Sequence, residues 1–173
     1  MTAHPFLAWL LALPLVLLAA QGAHAGTARL DDSASPRQRV APVTVLTLEG
    51  RPFDSVVEGP APTHAVLKYG RVDYKLAMGR YVGQRARIYF VIPALIPSLR
   101  SPAGLQVEWR GHGQFASGSA RPGDRVLVWS GVVPGPWMSE GLDLTLQLDL
   151  RELQRADNGS FPFESYFEIE VHP

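Results

Sequence analysis

Three histidines, His64, His112 and His172, are the only imidazoles after residue 25, and no two are close in the chain. A hydrolytic triad needs a nucleophile, a base and an orienting acid that meet in space. The chain has no Gly-x-Ser-x-Gly elbow to lift a serine onto a strained turn, and Ser117-Gly118-Ser119 reads as an ordinary β-turn. Imidazole ligation of a metal calls for two or three histidines converging, commonly at i, i+2 on a strand or i, i+4 on a helix. His64 and His112 stand singly and far apart. The dense carboxylates are Asp143 with Asp149, and Glu164 with Glu168 and Glu170. Such groups could form the paired acids of glycoside chemistry, but each occupies the polar position of an alternating run, where a solvated face is the plainer reading. No glycine-rich loop follows a strand and opens a helix, so nucleotide binding has no motif behind it. The chain holds no cysteine, which removes disulfides, thiolate metal sites and a cysteine nucleophile together. These residues predict no enzyme, no cofactor and no metal.

Binding has better candidates. Ile92-Pro93-Ala94-Leu95-Ile96-Pro97-Ser98-Leu99-Arg100-Ser101-Pro102 is held extended by its prolines, which exclude it from a central strand, yet it carries Leu95, Ile96 and Leu99. In Val132-Val133-Pro134-Gly135-Pro136-Trp137-Met138-Ser139-Glu140, Trp137 and Met138 follow a stiff Pro-Gly-Pro. Trp is a favoured interface anchor because it buries much area at low entropic cost. Trp137, Met138, Leu95 and Ile96 are therefore the expected partner-binding residues. The competing reading is that these side chains fold back and cap the open end of the fold.

The elements that would position these loops are strands. Leu142, Leu144, Leu146, Leu148 and Leu150 alternate with polar residues, which puts all five on one face of a strand and would scatter them around a helix. Phe163, Phe167, Ile169 and Val171 alternate with glutamates in the same way. Between the two runs Asn158-Gly159 is a hairpin-turn signal, although the connection is longer than a tight hairpin. Six further strands are expected at residues 43–48, 65–69, 71–78, 87–92, 105–110 and 125–130, with Gly70 marking a bulge or bend between two of them. Eight short strands punctuated by 16 Gly and 15 Pro, with no helix of ten residues, predict an all-β domain over residues 40–173. An immunoglobulin-like sandwich of seven to eight antiparallel strands is the expected type, with a small barrel as the alternative.

The N-terminus predicts where this domain works. Phe6 to Ala20 is uncharged and apolar but shorter than the ~20 residues that cross a bilayer, and Pro14 interrupts it. Ala23-His24-Ala25 then supplies small residues at the −3 and −1 positions of a signal-peptidase site. Residues 1–25 read as a cleaved signal peptide, with Gly26 as the new N-terminus and no stable membrane span afterwards. Residues 26–39 hold one large apolar residue, Leu30, and read as a flexible polar leader. The 16 basic and 16 acidic residues form no long block of one sign, so nucleic acid is not an expected partner. Fourteen of the basic residues are Arg, and Asn158 is the only Asn, a bias of GC-rich coding. The expected protein is a non-enzymatic domain of the bacterial periplasm or cell surface, whose partner is another envelope protein. A fimbrial subunit is the alternative, weakened because residues 26–39 lack the alternating apolar residues of a donated strand. A carboxylate hydrolase is the remote third.

Overall fold

A computed structural model describes residues 26–36, 42, 44–55, 60–154 and 164–172. The expected signal peptide, the Asn158-Gly159 turn and Phe163 lie outside these residues. The described chain is all-β, with nine strands: β1 (Thr27–Arg29), β2 (Thr44–Leu46), β3 (His64–Ala77), β4 (Arg85–Val91), β5 (Leu105–Gly111), β6 (Gly118–Ala120), β7 (Arg125–Val132), β8 (Trp137–Asp149) and β9 (Tyr166–His172). They form two antiparallel sheets, one in the order β1-β9-β4-β7 and the other β2-β3-β8-β5-β6. That is the arrangement expected of a β-sandwich, built from two sheets and not from one closed sheet. No helix among the described residues is long and apolar enough to cross a membrane.

The alternating runs do what their period requires. Leu142, Leu144, Leu146 and Leu148 of β8 are buried, as are Phe167, Ile169 and Val171 of β9 and Leu105, Val107 and Trp109 of β5. All belong to one apolar cluster shared by the two sheets. At its centre Phe90 and Phe167 meet Trp109, Tyr74 and Phe115, with ring centroids 4.9–5.5 Å apart. The residues expected at 65–69 and 71–78 form the single strand β3, and its register slips between Lys68 and Arg71, around Gly70.

Three expectations are corrected. The first concerns the leader. Thr27–Arg29 pairs with Arg29 opposite Glu168 and Thr27 opposite Glu170, so the fold begins before residue 40. Leu30 is 3% exposed, and its N–H donates to the Phe167 carbonyl at 2.8 Å. Thr27–Leu30 are held because Leu30 enters the core and the backbone before it adds a strand to the sheet edge. Second, β8 and β9 lie in different sheets and do not pair as a hairpin. Third, Trp137 and Met138 begin β8 instead of ending a loop.

Candidate functional site

At one end of the molecule the end of β1, the end of β3 and the start of β8 come together. The Ala77 N–H donates to the Asp31 carbonyl at 2.9 Å and the Met78 N–H to the Pro136 carbonyl at 2.8 Å. The Gly83 N–H closes on the Val133 carbonyl at 2.9 Å. Pro134 and Pro136 fix their own φ angles, so the approach to β8 is tied from both sides and stiff in itself. Trp137 then pairs with Ala77 as the first residue of β8 and faces out of the sheet. Its side chain is 48% exposed, and the Lys75 ammonium rests 4.7 Å from the ring centroid.

The indole forms one wall of a cleft of about 440 Å³ lined also by Arg29, Asp31, Gly79, Arg80 and Tyr81. The guanidinium of Arg29 lies 4.6 Å from the centre of the Tyr166 ring. Neither Arg29 nor Arg80 has a carboxylate partner among the described residues. Asp31 is engaged by its own turn: its Oδ1 accepts the Ser33 N–H at 2.9 Å, and this backbone hydrogen bond holds its pKa below the ordinary value. The cleft thus offers an aromatic wall and positive charge, with no nucleophile paired to a base.

The four sequence-predicted contact residues separate. Trp137 and Leu95 are exposed, Leu95 at 87%. Met138 and Ile96 are buried, at 5% and 7%, and cannot meet a partner. The alternation of β8 forces this on Met138, because a neighbour that faces solvent turns it inward. Ile96 drops into the core while the next turn closes through the Leu99 N–H to its carbonyl at 2.9 Å. Capping of the fold is thus the role of Met138, Ile96 and Leu99. Leu95 and Trp137 lie at opposite ends of the molecule. The Leu99 loop bridges Leu153, just past the C-terminal end of β8, while Trp137 opens that strand. The 13 residues of β8 span roughly 40 Å at the rise of a strand.

The groups with conventional chemistry are spent on one another. His112 Nε2 sits 2.8 Å from Asp143, and His64 Nε2 sits 3.7 Å from Asp149. The two imidazoles hold different positions along β8 and do not converge. Arg125 joins Glu168 at 2.7 Å and Glu170 at 3.2 Å while its guanidinium covers the Tyr89 ring. No group of three His, Cys, Asp or Glu among the described residues could hold a metal ion. A second groove, about 590 Å³, is lined by Arg71, Asp73, Lys75, His112 and Gly141, but Arg71 and Asp73, neighbours on the same face of β3, pair with each other at 2.7 Å.

Glu140 is the one buried carboxylate of the core-facing stripe of β8, at 4% exposure. Its Oε2 accepts the backbone N–H groups of Gln114 (2.6 Å) and Phe115 (2.9 Å), and its Oε1 accepts that of Gly141 (3.0 Å). A Cβ at Gly113 would come within 2.7 Å of Oε2, so only glycine lets the loop close on this carboxylate. Its role is to anchor the β5–β6 loop. Sequence reasoning missed this, and it also missed Arg29, Asp31, Arg80 and Tyr81. The first two lie in the polar leader and the others in a short turn, where no periodicity marks them. No family model matches the chain, no curated protein matches it, and no solved structure matches it.

Proposed function

We propose that this chain is an exported, non-enzymatic binding domain that engages another protein of the bacterial envelope through the cleft at Trp137. The exposed indole carries this reading. It is a large aromatic placed at a stiff strand entry and left half in solvent, where a purely structural Trp would be covered. A pre-organised aromatic loses little entropy when it is buried by a partner, which is how interface anchors gain their energy. The apolar run Phe6 to Ala20 and Ala23-His24-Ala25 support export, to the periplasm or beyond. An immunoglobulin-like arrangement is the accompanying fold proposal, supported by the way consecutive strands β3 and β4, and β8 and β9, change sheets.

The test is Trp137→Ala, with capture of a partner in the native host and melting temperature measured on the same protein. Weakened capture at a nearly unchanged melting temperature is the expected result. A large fall in melting temperature with capture intact in the folded fraction would return Trp137 to a structural role.

A further inference from the structure

Building on the Trp137 cleft as the binding surface, we infer that its occupant is an acidic peptide segment of the partner protein, one that pairs an apolar or aromatic residue with flanking carboxylates. Three cations surround the indole: Arg29 and Arg80 line the cleft, and Lys75 covers the ring. One carboxylate faces them, Asp31, and it is already bound to the Ser33 N–H. Elsewhere on the surface basic groups are paired with carboxylates, as Arg71 is with Asp73, Arg151 with Asp149 and Arg125 with two glutamates. Arg80 and Arg29, the latter stacked on the Tyr166 ring, have no carboxylate partner among the described residues. Each guanidinium presents a planar fork that matches a carboxylate in two-point contact. The part of the Trp137 ring that Lys75 leaves in solvent can bury an apolar or aromatic side chain, and Tyr81 supplies a second aromatic wall.

The backbone beside the cleft fits an extended segment. Gly26 and Leu30 face β9, the first accepting from the Val171 N–H at 3.5 Å and the second donating to Phe167 at 2.8 Å. In an antiparallel pair the groups of alternate residues point the other way, so those of Thr27 and Arg29 point to the open side of β1. Both residues are exposed. An acidic strand laid along this edge would bring its carboxylates past Arg29.

The test uses two labelled pentapeptides, acetylated and amidated, one of sequence Asp-Glu-Phe-Glu-Asp and one of sequence Lys-Lys-Phe-Lys-Lys, titrated by fluorescence anisotropy. The acidic peptide should bind the mature domain measurably tighter than the basic one. Its affinity should fall as salt rises from about 0.05 M to about 0.5 M, because the contacts are partly exposed. The double variant R29Q/R80Q should weaken acidic-peptide binding about three- to tenfold, as expected for two solvent-screened charge contacts, at an unchanged melting temperature. Equal affinity for the two peptides, absence of acidic-peptide binding, or indifference to R29Q/R80Q would overturn the inference. If Trp137→Ala still abolishes partner capture in that case, the binding reading stands and only the acidic occupant falls. If capture is indifferent to Trp137→Ala, the binding reading falls with it.

Discussion

Trp137 and Glu140 lie three residues apart and face opposite sides of one strand, and the environments they meet set what each can do. Removing the Trp137 ring gives up a half-exposed contact with Lys75, so Trp137→Ala should cost about 1 kcal/mol or less. Glu140→Gln should cost about 1–3 kcal/mol, because an amide nitrogen would face backbone N–H groups that now meet a carboxylate. Thermal denaturation of the two variants side by side checks both values. Asp149 offers a sharper reading. The side chain of Arg151, bound through both carboxylate oxygens, holds its pKa at about 2 against an ordinary 3.8. Because the folded value is the lower one, this pairing favours the folded state above the unfolded pKa and stops doing so as pH falls from 3.8 toward 2. Arg151→Ala should move the Asp149 midpoint up toward 3.8, which carboxyl-carbon NMR titration reads directly.

At the level of elements, β8 shows why periodicity reveals some strands in full and others in part. Its leucine stripe is legible because local alternation and tertiary burial coincide there. The same strand runs back to Trp137 through Met138 and Glu140 at the same period, but a glutamate in a core-facing position breaks the apolar pattern. Its partners are backbone groups of a loop 25 residues away in sequence, which no local window displays. β1 was invisible for a related reason. Three residues with no apolar alternation gain their order only from β9, at the far end of the chain. β6, another three-residue strand, takes in Gly118 and Ser119 of the Ser117-Gly118-Ser119 run, which reads locally as a turn and is a strand only through its pairing with β5. Leu30 and Leu146 then measure the two cases. Leu146→Ala should cost ~2–5 kcal/mol, whereas Gln147→Ala on the outer face should cost little. Leu30→Ala should fall nearer the Leu146 value than the Gln147 value if β1 is an integral strand. Denaturant unfolding of the three variants decides it, and equal small losses at Leu30 and Gln147 would make β1 an incidental contact.

At the scale of the whole molecule, two apolar loops that look alike in sequence occupy opposite ends and play different parts. The Pro93–Pro102 end turns Ile96 and Leu99 into the core and leaves Leu95 alone in solvent. The Trp137 end gathers an indole, a tyrosine and three cations about one cleft beside an open strand edge. The two ends are therefore unlike, and the proposed binding end is the one with the exposed indole. A photo-crosslinking residue answers this most directly, placed at position 137 in one variant and at position 95 in another, with both expressed in the native host and irradiated. A discrete protein adduct is expected from position 137, suppressed by an excess of the acidic pentapeptide, and none from position 95. An adduct from position 95 with nothing from position 137 would contradict it.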